Sequence, residues 1–331
     1  MTNEPFFLLS PADGHDMTAE IEACLTEHGA CRLSAGDFVT HGITMPEGSS
    51  ITGAGASTRL FLSPEIESGA AIRLSSYCTV KDLALDGGLS ASPEEVGDRH
   101  GILFEGNVFK DDDDHAGQIH NSTVTGCFMF GFSGGGITCR HTGYSPRAAI
   151  VASDCHVVNS GAGIYVERFS EFHKFTNILC YRNLYGCINN GGNNVFVNCG
   201  FTSNKTGFLI DNEHGQSPNC AHGSCVGCTF HHSDRNHGIG ILIKNESPGF
   251  VFDGCQIGFS GIVLENADCV SFVGMNVLRK VPIRITGGTL TLFASSMFHE
   301  EPTVTIENNK AVRFDSCYLK DGTPFNPEKC K

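Results

Sequence analysis

A five-residue motif, glycine followed by alternating apolar residues, recurs along this chain. From Gly163 to Gly186 the spacing is 23 residues, and from Gly186 to Gly207 it is 21. A period in the twenties with strand-like alternation is typical of a solenoid, because one such unit cannot bury its apolar face alone and must stack on its neighbours. The repeat predicts an all-β parallel β-helix, with function along its side. Its clearest copies are Gly101–Glu105, Gly136–Arg140, Gly163–Glu167, Gly186–Asn190, Gly207–Asp211, Gly240–Lys244 and Gly261–Glu265.

The composition agrees with one elongated domain. The chain has 331 residues, with 40 glycines but only 22 lysines and arginines, which suits many tight turns and few long helices. A solenoid lengthens without enlarging its cross-section, so this length does not require a second core. We expect a single domain over 1–331, with a cap over about 1–34, rungs over 35–319 and a tail over 320–331.

The charge and the N-terminus limit the partners. A formal charge of −14 argues against a nucleic-acid partner and disfavours a polyanionic substrate. The segment Met1–Leu9 has no basic region and only four consecutive apolar residues, too few for a signal peptide or a membrane span. We therefore expect no membrane partner and a cytoplasmic location, unless the protein leaves the cell within a virion.

The cysteines predict a buried column. Aligning the second strand of each rung places six of the 16 cysteines at one position, where Ile178 and Met275 replace cysteine in two other rungs. Neither replacement is a metal ligand, so the column reads as small apolar side chains facing inward, which suits a reducing compartment. Only Cys220 and Cys225, near a loop, stay open as zinc ligands. The six are Cys127, Cys155, Cys199, Cys228, Cys255 and Cys317.

The first 62 residues predict how the solenoid begins. A short helix is expected to begin at Asp16 or Thr18, to end at Gly29 and to cover the open end of the first rung. The apolar stripe of this helix comprises Ile21, Cys24, Leu25 and His28. Gly53 and Gly55 do not predict a dinucleotide-binding loop, since no helix pattern follows them.

The sequence over about 16–62, with Ala35–Phe38 and Ile43–Thr58 after the helix, resembles the entry segment of the pectate-lyase-like superfamily. That resemblance implies a right-handed parallel β-helix with an N-terminal capping helix. Its members are mostly polysaccharide lyases, glycoside hydrolases, epimerases and phage tailspikes. The polygalacturonase and pectate-lyase signatures are missing, so pectin cleavage is not expected. The stretch Leu209–Gly215 is similar to an acidic segment of inulin fructotransferases, which are trimeric β-helices.

The alternation along each strand indicates which polar side chains face outward and could form an active site. The second and fourth residues of each motif point inward, so the fifth residues form an outward column. In that column Glu167 and Asp211 lie two rungs apart, about 9.6 Å between backbones. An inverting glycosidase needs carboxylates roughly 6.5–9.5 Å apart. The alternative is a solvated ladder of charges. The column comprises Glu105, Arg140, Glu167, Asn190, Asp211, Lys244 and Glu265.

Four insertions follow this column, at 106–118, 141–147, 168–174 and 212–223, and we expect them to wall a groove. The acidic run Asp111–Asp114 predicts a solvated loop tip and no calcium site, because consecutive carboxylates cannot all reach one ion. The third residues of the motifs, which include Leu209 and Leu242, are apolar and outward-facing. They need a cover from the loops or from other subunits, and we expect a homotrimer.

The sequence therefore predicts a glycoside hydrolase or a glycosyl-transferring enzyme acting on an oligo- or polysaccharide, without a metal or cofactor. Asp211 and Glu167 are the expected acid and base or nucleophile, with Glu105 in reserve. One alternative is a non-catalytic, glycan-binding β-helix of the phage-tail type. Another is a lyase or epimerase with Arg140 or Lys244 as base. The expected substrate-binding residues are Arg140, His141, Tyr144, Arg147, His173, Glu213, His214 and His222.

Overall fold

The structure is a computed structural model, and it describes residues 7–106, 119–143, 149–211, 221–232, 238–244 and 249–325. These residues form one helix, α1 (Thr18–His28), and short strands that all pair in parallel. In chain order the strands are β1 (Leu8–Leu9), β2 (Ala30–Leu33), β3 (Gly36–Thr40), β4 (Ile43–Thr44), β5 (Ser50–Leu62), β6 (Gly69–Leu74), β7 (Thr79–Asp86), β8 (Arg99–Glu105), β9 (Thr123–Thr125), β10 (Phe128–Phe130), β11 (Gly135–Arg140), β12 (Val151–Ser153), β13 (His156–Val158), β14 (Ala162–Val166), β15 (Lys174–Thr176), β16 (Leu179–Tyr181), β17 (Tyr185–Asn189), β18 (Asn194–Val197), β19 (Gly200–Thr202), β20 (Thr206–Asp211), β21 (Gly223–Val226), β22 (Thr229–His231), β23 (Gly238–Lys244), β24 (Phe250–Asp253), β25 (Gln256–Gly258), β26 (Ser260–Glu265), β27 (Val270–Val273), β28 (Asn276–Leu278), β29 (Pro282–Thr286), β30 (Leu290–Ala294), β31 (Met297–Phe298), β32 (Thr303–Glu307), β33 (Ala311–Asp315) and β34 (Tyr318–Leu319).

The strands stack into three long ladders, one on each side of the coil. Sheet A is the ladder from β9 through β12, β15 and every third strand to β33, and sheet B is the ladder from β10 through β13 and β16 to β34. The two join through β5 and β7. Sheet C contains β4, β6, β8, β11, β14, β17, β20, β23, β26, β29 and β32. Each rung thus passes through sheets A, B and C in turn.

The corner between sheets A and B is a turn of one left-handed residue. Asp154, Asn177 and Asn198 occupy this position in successive rungs, with φ of 54°, 54° and 52°. Asn and Asp tolerate this conformation better than most residues. The Nδ2 group of Asn177 donates to Asp154 Oδ1 at 3.1 Å, and Asn198 Nδ2 donates to Asn177 Oδ1 at 2.7 Å. A side-chain ladder therefore ties the corners together along the coil.

The predicted cysteine column is confirmed. All six cysteines are buried, and so are Ile178 and Met275, which replace cysteine in two rungs. Their thiols face main-chain carbonyls, as in the 3.4 Å contact from Cys228 Sγ to Phe196 O. Cys225 is also buried without a disulfide, whereas Cys220 lies outside the described residues. The column is part of the core.

Aromatic stacking fills the core beside this column. Phe252, Phe272, Phe293 and Phe314 lie in one column of sheet A, and neighbouring rings are 4.6–5.0 Å apart and nearly parallel. Burying one phenylalanine side chain stabilises a fold by about 1.5–3 kcal/mol. Because the same position recurs in each rung, the rings repeat that gain along the coil.

Close packing requires the glycine that opens most of the motifs. A Cβ on Gly163 would lie 2.3 Å from Cys180 Sγ and 2.4 Å from the carbonyl oxygen of Gly186 in the next rung. A Cβ on Gly207 would lie 2.5 Å from the carbonyl oxygen of Gly240. Real Cβ atoms do not approach other atoms so closely, so packing against the adjoining rung requires glycine at these two positions.

The capping helix α1 is present at the N-terminal end. It begins at Thr18, whose N–H donates to Asp16 Oδ1 at 3.0 Å, and it ends at Gly29 in the left-handed conformation with φ of 68°. Ile21 and Leu25 are buried, as predicted, but the exposed His28 stacks on Phe7 with ring centroids 3.3 Å apart. In the described ranges, helices are too short or too polar to span a bilayer.

Candidate functional site

The outer face of sheet C forms the floor of the candidate site. Strand pairing places Tyr165, Ile188 and Leu209 directly above one another on three successive rungs. The polar column two residues further on is also confirmed where the pairing records it, with Arg140 opposite Glu105 and Asp211 opposite Lys244. An apolar column and a charged column therefore run side by side along this face.

A groove of about 510 Å³ lies over these two columns. Glu167, Asn190 and Asp211 line it together with Tyr165, Ile188 and Leu209. Its other lining residues are Val96, His141, Arg168, Phe169 and Tyr185. The carboxylates that the sequence predicted as a pair, Glu167 and Asp211, thus line the same groove, with Asn190 on the rung between them.

Arg140 connects the carboxylates at one end of the groove. Its Nε donates to Glu167 Oε1 at 2.9 Å, its Nη1 to Glu105 Oε1 at 3.4 Å and its Nη2 to Asp98 Oδ1 at 3.0 Å. Burial lowers the pKa of Arg140, but the charges of Glu167 and Asp98 outweigh it and raise that pKa. Arg140 does not line the groove, so the structure replaces the expected substrate contact with a role in holding Glu167.

A buried histidine supports Arg140 from behind. His100 Nδ1 accepts the N–H of Gly135 at 3.0 Å, so Nε2 carries the proton and donates to Asp98 Oδ1 at 2.9 Å. Burial lowers the pKa of His100. Burial raises the pKa of Asp98, but the hydrogen bonds from His100 and Arg140 lower it overall. Asp98 is therefore a fixed anion that orients the guanidinium.

Asp211 has its own cation at the other end of the carboxylate pair. Lys244 Nζ lies 3.4 Å from Asp211 Oδ2, and the N–H of Asp211 donates to Asn190 Oδ1 at 2.9 Å. Glu105 lies outside the groove, where it pairs with Arg73 as well as Arg140. The charged column is thus a chain of ion pairs, and its carboxylates open into the groove only at Glu167 and Asp211.

His173 was predicted to bind substrate, and that prediction is wrong. Its side chain is 0% exposed, and Nδ1 accepts the N–H of Ile150 at 3.2 Å while Nε2 lies 2.8 Å from Thr142 Oγ1. Burial lowers the pKa of His173 to about 3. The histidine is neutral and holds the loop around Thr142 against the corner of the rung.

Hydrogen bonds connect two loops beside the groove. The N–H of Gly143 donates to Phe169 O at 2.8 Å, and the N–H of Glu171 donates to Gly143 O at 3.1 Å. The N–H of Thr142 donates to Ser170 Oγ at 3.3 Å. These bonds place the segment 141–143 against the segment 168–173 and so position His141 and Arg168 on one wall.

The apolar third column is covered within the single chain. Ile188 and Leu209 are 7% exposed and Leu242 is 9% exposed. Val96, Tyr165 and the neighbouring Tyr185, Ile239 and Val263 pack against them in a second hydrophobic cluster. Cover was expected from the loops or from other subunits, and in the structure residues of the same chain provide it.

Of the remaining predicted substrate-binding residues, only His222 is among the described residues. His222 is described, but it lies near Glu171, whose pKa is raised mainly by burial, and it does not line the groove. In the described part of the chain, no cluster of three or more potential metal ligands is found. Tyr144, Arg147, Glu213 and His214 lie outside the described residues.

Comparison with known proteins adds to this geometry. Neither a family model nor a curated protein matches the chain. The tailspike protein of Escherichia coli bacteriophage HK620, solved with a pentasaccharide, aligns with a TM-score of 0.64 and 12% identity, over 94% of this chain and 64% of that one. The catalytic unit of a GH87 α-1,3-glucanase from Streptomyces thermodiastaticus aligns with a TM-score of 0.53 and 12% identity, over 100% of this chain and 71% of that one. The A-module of the mannuronan C-5 epimerase AlgE4 from Azotobacter vinelandii aligns with a TM-score of 0.51 and 15% identity, over 94% of this chain and 89% of that one.

This chain is a right-handed parallel β-helix. The similarity confirms the fold that the resemblance over 16–62 implied. At 12–15% identity it establishes the fold alone.

Sequence reasoning missed several residues of this β-helix that line the groove. Tyr185 precedes the glycine of its motif, outside the alternating positions, and Val96 comes from a segment before the motif of Gly101. Arg168 directly follows Glu167 and begins one of the four insertions. Its position directly after a residue of the charged column was the feature of the sequence that could have indicated it.

Proposed function

We propose that this protein is a carbohydrate-active enzyme that cleaves or transfers a glycosidic bond of an oligo- or polysaccharide, with Glu167 and Asp211 as its carboxylate pair. The observation that supports this most is their presence in one groove of about 510 Å³. The three solved β-helices support the substrate class, since one is a glucanase, one is an epimerase of mannuronan and one is bound to a pentasaccharide.

The spacing favours an inverting reaction. Two rungs separate the backbones of Glu167 and Asp211 by about 9.6 Å, close to the roughly 6.5–9.5 Å that leaves room for a water molecule. Glu167 has the shorter ion pair, 2.9 Å to Arg140 Nε, so we assign it as the base that activates this water. We assign Asp211, the second carboxylate that lines the groove, as the acid.

A lyase or epimerase with Arg140 or Lys244 as base has less support. A base must be neutral before it accepts a proton, and both side chains lie in ion pairs with carboxylates. Arg140 contacts three of them, and its pKa is raised. Lys244 Nζ lies 3.4 Å from Asp211 Oδ2.

The test begins with a screen of neutral and acidic oligosaccharides for the release of new reducing ends. On any substrate found, Glu167→Gln and Asp211→Asn keep the shape of each side chain but remove the proton-transfer group. Each should lower kcat by roughly 10²-fold or more, while the Kd for substrate changes little. The stereochemistry of the first product, read by NMR, should be inverted.

Glu265→Gln is the matched control, because Glu265 belongs to the same column of sheet C but does not line the groove. It should leave kcat unchanged. Equal and small effects at all three positions would contradict the assignment and would favour a glycan-binding β-helix without catalysis. A retained anomeric configuration would contradict the inverting reaction alone.

We also propose that the protein forms a homotrimer. Because the third column of sheet C is filled within one chain, another face must provide the contact. The outer face of sheet A has exposed valines on successive rungs, including Val197 and Val226, which pair directly. These two neighbouring exposed valines are the best candidate for the contact.

A further inference from the structure

Arg168 differs from Arg140 and Lys244, the two other cations described beside the groove. Arg140 and Lys244 are paired with carboxylates, as described above. In the described chain, Arg168 forms no ion pair or hydrogen bond, and its Nη1 atom is buried. A buried donor without an acceptor costs about 1–3 kcal/mol, and more when it is charged. The side chain lines the groove, so a bound molecule can supply that acceptor.

His141 adds a second group of the same kind. Its Nδ1 atom is also buried without a hydrogen-bond partner among the described residues, and its ring lines the same groove. The main-chain bonds of Gly143 with Phe169 and Glu171 fix the loop of His141 against the loop of Arg168. The two unpaired groups therefore stand on one preorganised wall, beside Glu167.

The charge of Arg168 indicates what kind of acceptor is needed. A sugar hydroxyl would accept a hydrogen bond, but it would leave the guanidinium charge without a counter-charge. A carboxylate would provide both, and it matches the planar fork of a guanidinium with two parallel hydrogen bonds. The charge of Arg168 reaches the groove, since it acts to lower the pKa of Tyr165, which burial and then Glu167 raise.

The chain's overall charge of −14 does not prevent this. Exposed charges are screened beyond a Debye length of about 8 Å at physiological salt. Inside the groove, the carboxylates of Glu167 and Asp211 are each paired with a cation, so Arg168 provides the local uncompensated charge. The global charge slows the approach of an anion more than it weakens the contact.

We propose that Arg168 and His141 form a subsite for the carboxylate of an acidic sugar. This inference rests on the proposed function only in taking a saccharide as the ligand. The substrate would then be a polymer or oligomer that contains a uronic acid or another carboxylate-bearing sugar. That sugar would bind next to Glu167.

The test measures binding by isothermal titration calorimetry, so it needs no turnover. The probes are tetrasaccharides of uronic acids, each paired with its carboxyl-reduced counterpart. At least one acidic probe should bind the wild-type protein about tenfold or more tighter than its reduced form, and Arg168→Gln should remove that preference. Arg168→Lys, which keeps the charge but not the fork, should fall between them. Thermal melting checks that each variant is folded.

Arg313→Gln is the control, because Arg313 is exposed on β33 of sheet A, far along the coil from the groove. It should keep the preference for the acidic probe. The proposal is overturned if no acidic probe binds better than its reduced form, or if Arg168→Gln weakens both forms equally. Acidic binding through Arg168 without bond cleavage would retain the subsite and contradict the proposed enzyme, so the two failures are distinguishable.

Discussion

His173 and Arg168 belong to the same insertion, yet their surroundings give them opposite roles. Both nitrogens of His173 are hydrogen-bonded inside the protein, so the ring is a structural part of the corner. Arg168 has a buried nitrogen without a partner among the described residues, so its side chain suits a ligand. The residue type alone would have suggested both as binding groups.

The first prediction at this scale concerns the stability of the protein against pH. The pKa of His173 is about 3 in the folded protein and 6.5 for an exposed histidine, so the unfolded chain takes up the proton first as the pH falls. The stability that neutral His173 contributes is therefore complete above pH 6.5 and is lost between pH 6.5 and about 3. The loss should be about 1.4 kcal/mol per pH unit.

Urea denaturation of the wild type and of His173→Gln at several pH values between 7 and 4 isolates this residue, because His100 titrates in the same direction in both proteins. The variant should be less stable at pH 7 and should show the shallower pH dependence. Parallel pH profiles for the two proteins would show that His173 is not held neutral.

At the scale of the element, each motif in sheet C combines a buried pair, an outward pair and a glycine. The alternation follows from the period of two in any strand. The glycine has a different cause, because it is set by the distance to the adjoining rung, and that distance varies from motif to motif. Gly163 is crowded by Cys180 and by Gly186, whereas Gly261 has its nearest contacts at 3.2 and 3.3 Å, both with Pro282.

This difference predicts unequal effects of one substitution. Gly163→Ala should lower the free energy of unfolding by about 1–3 kcal/mol or more, because its Cβ would lie 2.3 Å from Cys180 Sγ. Gly261→Ala, at the same place in another motif, should cost clearly less, since Pro282 needs to move by only a few tenths of an ångström. Urea denaturation measures both. Equal losses would mean that the rungs can shift to accept a methyl group.

At the scale of the whole molecule, three ladders present three long outer faces. On the face of sheet C, Val96, Tyr185 and Ile239 of the same chain pack on the apolar column, and the groove lies on this face. The face of sheet A presents valines that are more than a third exposed, 37% for Val197 and 38% for Val226. The proposed catalytic groove and the proposed association face therefore lie on different sides of one coil.

The proposed homotrimer gives the prediction at this scale. Replacing Val197 and Val226 together by Asp should convert trimers into monomers, because unpaired charges in a dry interface cost several kcal/mol. Multi-angle light scattering gives the mass. Thr202→Asp, on the outer face of sheet B, is the control and should leave the trimer intact. A wild-type monomer at micromolar concentration would contradict the proposal.

Much of this architecture followed from the sequence alone. Strand period and repeat spacing are local properties, so they determined the coil, the buried column of Cys155 and Cys228, and the placement of Glu167 and Asp211 two rungs apart on one face. The capping helix followed from an equally local pattern, the apolar stripe that ends at Gly29.

Only the tertiary structure decided what lies over that face. Contacts between distant segments have no period: Arg140 bonds with Asp98, 42 positions away, and Val96 packs on Leu209 and its neighbours. Such contacts decide that Leu209 is covered, that His173 is buried and that Arg168 lacks a partner among the described residues. Alternation determines which way a side chain points, whereas burial and pairing depend on which distant segment meets it.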